Sequence, residues 1–226
     1  MDAYPSSIQE TRLKSQEDTI LMIPGFIIHL DTATERLPLI DAIQAIMRDP
    51  VSVFSAIDDS KGALSHPWEK RPVTKGEIGC VHSHLAILRN AVKADRKHIM
   101  IFEDDCEFLS TQQQVYNFID GISDPWDILL LGANEYVESV PVNFCRKVGR
   151  FWGTHAMLLS RKAMEVAIDT FEKAQEKGIF LPADWMYNEA IKRGLRCYAP
   201  YKPDHLCRQK PGLVSAINGK IRTSIQ

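Results

Sequence analysis

Short apolar runs alternate along the chain with longer segments in which apolar residues recur every three or four positions. The short runs predict buried strands, and the longer segments predict helices with one buried face. Such an alternation is typical of α/β proteins with a mainly parallel sheet. We therefore expect an α/β fold in which helices flank a mainly parallel sheet.

The predicted strands are rich in Ile, Val and Leu and end at polar residues or glycine. They span residues 26–31, 51–54, 98–102, 127–131, 154–159 and 195–198, and an irregular tail follows them. The clearest helix begins after Thr74, which forms a T-x-x-E capping box with Glu77. Its apolar side is predicted to comprise Ile78, Val81, Leu85, Leu88 and Val92. Further helices are predicted from around Pro38, from Ser160 to near Gly178, and over residues 183–193.

The chain has 226 residues, of which 45% are hydrophobic and 25% charged, a composition typical of a globular protein. We expect an N-terminal extension over residues 1–25 and a single domain over residues 26–226. The formal net charge of −2 argues against a dedicated nucleic-acid binder, because it provides no excess of positive charge for a phosphate backbone.

The five cysteines form no C-x-x-C pair, and no histidine is spaced from them as in a familiar zinc motif. This pattern predicts a reduced, intracellular chain. The apolar stretch over residues 20–30 is too short to span a bilayer and contains Pro24 and Gly25. We therefore expect a cytoplasmic protein without a signal peptide or transmembrane helix, and peripheral membrane contact remains open.

Three consecutive carboxyl groups, Glu103, Asp104 and Asp105, follow the strand predicted over residues 98–102. Carboxylates this close repel one another, and a divalent cation would offset the repulsion. In an extended segment, Glu103 and Asp105 point to one side, so the two side chains can serve one ligand together. Mg²⁺ and Mn²⁺ favour such oxygen ligands together with substrate phosphates. The alternative is a solvated acidic turn.

Several segments resemble glycosyltransferase family 25, which includes bacterial lipooligosaccharide galactosyltransferases and collagen galactosyltransferases. The core of the resemblance is G-E-I-G-C at 76–80, Ser83 with His84, and I-F-E-D-D at 101–105. Further matching positions are Asp31, Glu35, Arg36, residues 55–58, 126–132, 153–160 and 183–185, Gln209, Ser215 and Ile217. Met157 and Ala216 depart from the family pattern, which commonly has an aromatic and an acidic residue there.

This resemblance implies a Rossmann-like fold of GT-A type, with a nucleotide-sugar site at the carboxyl ends of the strands. It also implies metal-dependent, inverting transfer of a hexose, with galactose from UDP-galactose as the expected donor. Mn²⁺ or Mg²⁺ would be the cofactor, and the acceptor would be a saccharide or glycoconjugate hydroxyl, as in lipopolysaccharide biosynthesis. Neither a nucleic-acid partner nor a transmembrane segment is expected.

By the same resemblance, Asp105 would bind the metal, Glu103 would face the ribose or assist the metal, and Asp104 would orient the loop or help to bind the nucleotide. His205 is a candidate third metal ligand or a solvent-exposed loop histidine. Asp184 opens a short helix beside Trp185 and is the candidate catalytic base; its alternative role is a helix cap or a partner of the helix dipole.

Other candidates would contact the nucleotide sugar. Arg36 has a guanidinium suited to a diphosphate, and Asp58 would accept a hydrogen bond from uracil or ribose. Ser83, His84 and, by resemblance, His155 would be pocket residues. Each has a structural alternative: a surface charge for Arg36, a turn residue for Asp58, a helix edge for Ser83 and His84, and a buried polar strand residue for His155.

Two other functions are compatible with the sequence. A non-catalytic protein would keep the fold for binding, although the intact acidic cluster and Asp184 argue against loss of catalysis. A nucleotidyltransferase or diphosphate hydrolase would be expected to carry a glycine-rich phosphate loop or a lysine signature, and we find neither.

Overall fold

The computed structural model describes residues 22–58 and 72–214. Its strands are β1 (Gly25–His29), β2 (Val51–Ser55), β3 (His98–Glu103), β4 (Cys106–Phe108), β5 (Ile128–Gly132), β6 (Glu135–Val142), β7 (Cys145–Trp152), β8 (Ala156–Ser160), β9 (Cys197–Ala199) and β10 (Cys207–Gln209). Its helices are α1 (Leu37–Ile46), α2 (Lys75–Lys93), α3 (Gln112–Gly121), α4 (Arg161–Glu176) and α5 (Ala183–Lys192), and a 3-10 turn at Thr34–Arg36 precedes α1. Most of the predicted extension lies outside the described residues, as do the family-like positions 215–217.

The described part of the chain contains a two-stranded sheet of β4 and β10 and an eight-stranded sheet in the order β2-β1-β3-β8-β5-β9-β7-β6. Strand β1 pairs in parallel with β2 and β3, and β5 pairs in parallel with β9. Only β7 and β8 of the eight-stranded sheet run in the opposite direction. The predicted α/β architecture with a mainly parallel sheet is confirmed.

Hydrophobic layers cover both faces of the sheet, which explains why the central strands are continuously apolar. Along β3, Ile99 and Ile101 face the layer that contains residues of α2, α4 and α5, whereas Met100 and Phe102 face the layer of α1 and α3. The same alternation holds along β5 and β8. Within the described residues, no helix is long and apolar enough to cross a membrane.

Two of the predicted helix starts, those of α2 and α4, are confirmed by side-chain caps. The side chain of Thr74 accepts a hydrogen bond from the backbone of Glu77, and the Glu77 carboxylate accepts one from the backbone of Thr74, so both halves of the capping box form. Ser160 caps α4 in a similar way through the backbone N–H of Ala163. The capping box fixes the start of α2, the helix that carries the candidate residues Ser83 and His84.

The structure also contains elements that the sequence analysis omitted. Helix α3 begins at a second capping box, between Thr111 and Gln114, and β6 with β7 forms an antiparallel hairpin at the sheet edge. The tail predicted to be irregular includes β10, which pairs with β4 so that Gln209 lies opposite Cys106. The prediction of a wholly irregular tail was wrong, because pairing between three-residue strands far apart in the chain leaves little local pattern.

Candidate active site

A first cleft opens at the carboxyl ends of β1 and β3, against the first turns of α2. This is the edge of the sheet at which α/β proteins bind ligands. Its polar side chains are those of Arg36, Asp58, Lys75, Ser83, Glu103, Asp104 and Asp105. The N-terminus of α2 contributes Lys75, Gly76, Gly79 and Cys80 to the wall. A helix N-terminus with a lysine beside it is suited to an anionic ligand.

A second cleft lies between the start of α5 and the segment that joins β7 to β8. Its lining includes Trp152, Thr154, Asp184 and Gln209. Cys80 and Glu103 line both clefts, and Glu103 therefore stands in the wall that the clefts share. A ligand in one cleft and a ligand in the other would meet beside this carboxylate.

Asp104 is a buried anchor of the first cleft. One carboxylate oxygen accepts a hydrogen bond from the Arg36 guanidinium, and the other lies 2.8 Å from Nδ1 of His29. Arg36 also donates to the backbone oxygen of Val214 at 2.7 Å. Burial lowers the pKa of Arg36, but the hydrogen bond and charge of Asp104 outweigh this effect, so the pKa is raised overall and the guanidinium stays cationic. The protein's own cation thus offsets the charge of Asp104, leaving the neighbouring carboxylates to interact with a ligand.

Glu103 is held in its ionised form. Its carboxylate accepts a hydrogen bond from the Thr154 hydroxyl at 2.5 Å and lies 3.4 Å from the Gln209 amide nitrogen. Burial alone would raise the pKa of Glu103, but interactions with His84 and Thr154 outweigh it and lower the pKa to about 2. A fixed negative charge therefore stands between the two clefts at neutral pH.

Two groups of side chains that share Glu103 could hold a metal ion. The carboxylates of Glu103 and Asp105 both line the first cleft, and an oxygen pair of this kind fits Mn²⁺ or Mg²⁺ that also binds a diphosphate. Cys80, His84 and Glu103 form the other group, and one ligand atom from each lies within 4.8 Å of the others. This group has no familiar zinc-motif spacing in the sequence, because the carboxylate that joins Cys80 and His84 comes from β3.

Asp184 lies in the first turn of α5, behind the N-cap Pro182, and faces the second cleft. Its carboxylate accepts a hydrogen bond from the backbone N–H of Trp185 at 2.8 Å. Burial, assisted by the negative charge of Glu103, raises the pKa of Asp184 to about 6, although backbone N–H groups of Trp185 and Gly153 oppose the shift. Asp184 is not the N-cap, but it lies in the first turn, where a carboxylate can also interact with the helix dipole. A pKa near neutrality is compatible with the predicted role of a catalytic base, which stays a prediction.

Comparison with known proteins identifies the family. The model of "Glycosyltransferase family 25 (LPS biosynthesis protein)" matches residues 22–187. The chain belongs to glycosyltransferase family 25. The family predicted from the motifs is confirmed, and the observed sheet with its flanking helices agrees with the predicted GT-A type fold.

Curated members of family 25 differ in the activity that their names state. Procollagen galactosyltransferase 2 of Mus musculus is 27% identical over 135 residues, which cover 54% of this chain and 21% of that protein. Inactive glycosyltransferase 25 family member 3 of Homo sapiens is 26% identical over 101 residues, which cover 43% of this chain and 17% of that protein. This chain therefore matches about a fifth of the length of these relatives, and family membership alone does not separate an enzyme from an inactive member.

Two solved structures are similar to the chain at lower sequence identity. A197 from STIV is 15% identical with a TM-score of 0.49, and the match covers 88% of this chain and 98% of that one. A glycosyltransferase involved in the glycosylation of the major capsid of PBCV-1 is 14% identical with a TM-score of 0.39, covering 79% of this chain and 93% of that one.

The family 25 motif residues outside the acidic cluster occupy different positions relative to the clefts. Ser83 lines the first cleft, donates to the backbone oxygen of Gly79 at 2.7 Å and accepts from the backbone N–H of Ile57 at 2.8 Å. It thereby fixes the segment after β2, which carries the exposed Asp58 into the cleft lining. His84 lies behind the wall and is fully buried.

Two predicted site histidines are not among the residues that line either cleft. His155 is fully buried beside Cys207, and its pKa is raised because this contact and the charge of Glu103 outweigh the effect of burial. His205 is exposed in the loop between β9 and β10, where its backbone oxygen accepts a hydrogen bond from Ser110 at 3.1 Å. Their roles remain predictions: for His155 a contact with the nucleotide sugar, and for His205 metal binding from a loop.

Cys80 is the site residue that sequence reasoning missed. It lies four positions before His84 on α2, a spacing that places both side chains on one face of the helix. That spacing was visible in the sequence. Glu103, which completes the group with Cys80 and His84, lies on β3 and could not be linked to that spacing from the sequence.

Proposed function

We propose that the protein is an inverting glycosyltransferase that moves a hexose from a UDP-sugar to a hydroxyl group of a saccharide or glycoconjugate, with UDP-galactose as the expected donor. The observation that carries this proposal is the arrangement around Glu103. One cleft presents carboxylates and a helix N-terminus, and the adjoining cleft presents Asp184 with a pKa of about 6. Membership of family 25, and the galactosyltransferases among the relatives of this chain, support the same reaction.

The first cleft is suited to the nucleotide diphosphate. Lys75 and the N-terminus of α2 would contact phosphate oxygens, and Asp58 would contact the uridine. Glu103 and Asp105 would hold Mn²⁺ or Mg²⁺, with His205 as a candidate third ligand if its loop moves. When bound, the metal would supply positive charge that stabilises the departing diphosphate. Arg36 would act indirectly, by fixing Asp104 and the turn that carries these ligands.

The second cleft is suited to the acceptor. The acceptor oxygen would attack the anomeric carbon of the sugar while its proton passes to the Asp184 carboxylate. The bond from that carbon to the diphosphate oxygen would break, and its electron pair would remain on the diphosphate. The rings of Trp152 and Trp185, whose centroids are 5.1 Å apart, lie beside this base and offer an apolar face for a sugar ring.

A non-catalytic binding protein is the second candidate, because several relatives are named as inactive. Such a protein could retain the clefts and bind a nucleotide. Ligand binding does not require a proton acceptor at Asp184, whereas transfer to a hydroxyl group does. The two candidates are therefore separated by turnover.

The experiment measures UDP release from a panel of UDP-sugars, with and without Mn²⁺, in the presence of a mixture of saccharide acceptors. We expect release from one donor to require both the metal and the acceptor, and to fall at least a hundredfold in Asp105→Asn. The exposed Asp120 provides the matched control, and Asp120→Asn should match the wild type. Binding of UDP and Mn²⁺ without turnover of any donor would favour the non-catalytic candidate.

A further inference from the structure

Three different metal-binding side chains converge behind the wall of the two clefts. Cys80 and His84 lie one turn apart on α2, and Glu103 approaches them from the end of β3. One ligand atom from each lies within 4.8 Å of the others. A thiol, an imidazole and a carboxylate are the ligand types that zinc uses in proteins.

The imidazole of His84 is fully buried, and one of its nitrogens has no hydrogen-bond partner. Nδ1 lies 3.1 Å from the hydroxyl of Tyr187, which fixes the ring. The unpartnered Nε2 faces Glu103 and lies 3.9 Å from its Oε1, beyond hydrogen-bond distance. A buried polar atom without a hydrogen-bond partner is uncommon and requires an explanation, of which a bound ion is one.

The 3.9 Å separation leaves room for an ion between the two atoms. Zinc lies about 2.0–2.1 Å from a histidine nitrogen and about 2.0–2.2 Å from a carboxylate oxygen, so two such ligands at the tetrahedral angle are about 3.4 Å apart, and the two side chains would close by about 0.5 Å around the ion. The Thr154 hydroxyl on Glu103 and the Tyr187 hydroxyl on His84 already orient both ligands. Such supporting hydrogen bonds are characteristic of protein metal sites.

A thiol, an imidazole and a carboxylate can also form a nucleophilic relay, but the geometry argues against one. A relay needs one imidazole nitrogen for the thiol and the other for the carboxylate. Here Nδ1 is directed to Tyr187, and Nε2 is the nitrogen that faces Glu103. The ligand atoms of Cys80, His84 and Glu103 are therefore grouped as around a metal ion, and they do not form a hydrogen-bonded chain from thiol to imidazole to carboxylate.

We propose that Cys80, His84 and Glu103 form a zinc site in the wall between the clefts. Thiolate and imidazole ligands favour Zn²⁺ over Mn²⁺ or Mg²⁺, which distinguishes this site from the Glu103 and Asp105 oxygen pair. Three protein ligands leave a fourth position for water or for a group bound in the clefts, because Cys80 and Glu103 line both of them. The site does not depend on the proposed glycosyl transfer, since zinc binding is measured without substrate.

The first test titrates the metal-stripped protein with Co²⁺, a spectroscopic substitute for zinc, and then with Zn²⁺. We expect one equivalent of Co²⁺ to give the charge-transfer absorption of a cobalt–thiolate bond, and Zn²⁺ to abolish it. Cys80→Ser should lose this absorption, whereas Cys145→Ser, which changes a buried cysteine on β7, should retain it. Asp105→Asn should also retain it, which separates this site from the nucleotide metal. Absence of the absorption in the wild type, or its persistence in Cys80→Ser, would overturn the proposal.

A second test needs no substitution. Cys80 is partly exposed, while the other four cysteines are buried, so a thiol-alkylating reagent should modify Cys80 first. Stoichiometric Zn²⁺ should slow this modification at least tenfold, and a chelator should restore its rate. Mass spectrometry of the labelled peptides assigns the modified residue. Equal labelling of Cys80 with and without zinc would contradict the site.

Discussion

The pH dependence of sugar transfer tests the role of Asp184 quantitatively. Burial and the charge of Glu103 raise the pKa of Asp184 from 3.8 to about 6. At pH 5 a carboxyl with that pKa is ionised in about 9% of molecules, against about 94% for an ordinary aspartate. Because the ionised form accepts the proton, kcat/KM should fall about tenfold between pH 8 and pH 5. An unperturbed base would lose almost nothing over the same range.

Initial rates of UDP release at low donor concentration, measured at half-unit steps from pH 5 to pH 8.5, give this profile. Glu103 should not contribute to the acidic limb, because its pKa of about 2 keeps it ionised throughout. Asp184→Asn should retain about 1% or less of the wild-type rate, and its residual rate should lack the limb near pH 6. A wild-type profile that is flat down to pH 5, or a limb that persists in Asp184→Asn, would refute the assignment of the base.

Three further predictions concern stability. Because the folded-state pKa of Asp184 is raised, its ionisation opposes folding as the pH rises from about 4 to about 6. Urea unfolding should therefore show that Asp184→Asn is more stable than the wild type by up to about 3 kcal/mol at pH 7, but not at pH 4. Equal stability of the two proteins at both pH values would contradict a carboxyl held in a desolvated position. Arg36→Met leaves Asp104 buried without its guanidinium partner and should lower the free energy of unfolding by about 3–5 kcal/mol. Arg89→Met, which removes an exposed ion pair with Glu172, should lower it by at most about 1 kcal/mol. Similar losses in the two variants would argue against Asp104 as a buried anchor. A Cβ at Gly132 would collide with the backbone oxygen of Cys207 and with Nε2 of His155, so Gly132→Ala should lower the unfolding free energy by about 1–3 kcal/mol; Gly149→Ala, whose Cβ would lie 3.4 Å from its nearest neighbour, should cost less.

The central strands and several helix starts were predictable because their signals are local. Strands β3, β5 and β8 are covered on both faces and therefore appear in the sequence as continuous apolar runs. Capping boxes and serine caps mark helix starts within four residues. The hairpin of β6 and β7 was missed because Glu138, Ser139 and Pro141 interrupt the apolar pattern of the edge strand β6.

The site was predictable in its residues more than in its contacts. The acidic cluster stood out in the sequence, but the partners of Asp104 lie 68 and 75 positions away, and no local pattern links them. The sequence predicts His84 at a helix edge because His84 lies outside the apolar stripe of α2 that begins at Ile78. Tyr187 of α5 covers that side of α2 as well, and this contact buries the imidazole. Contacts between distant parts of the chain therefore show that Asp104 anchors the cleft, whereas Glu103 and Asp105 are the carboxylates available for a ligand.

The anomeric configuration of the product is the most direct test of the proposed reaction. The wild-type protein is incubated with Mn²⁺, UDP-galactose and a saccharide acceptor that supports UDP release, and the purified product is examined by proton NMR. With Asp184 as a single base and no covalent intermediate, the α-linked donor should give a β-linked galactoside. An α-linked product would contradict the single-displacement mechanism, and hydrolysis of UDP-galactose without any glycoside would contradict transfer itself.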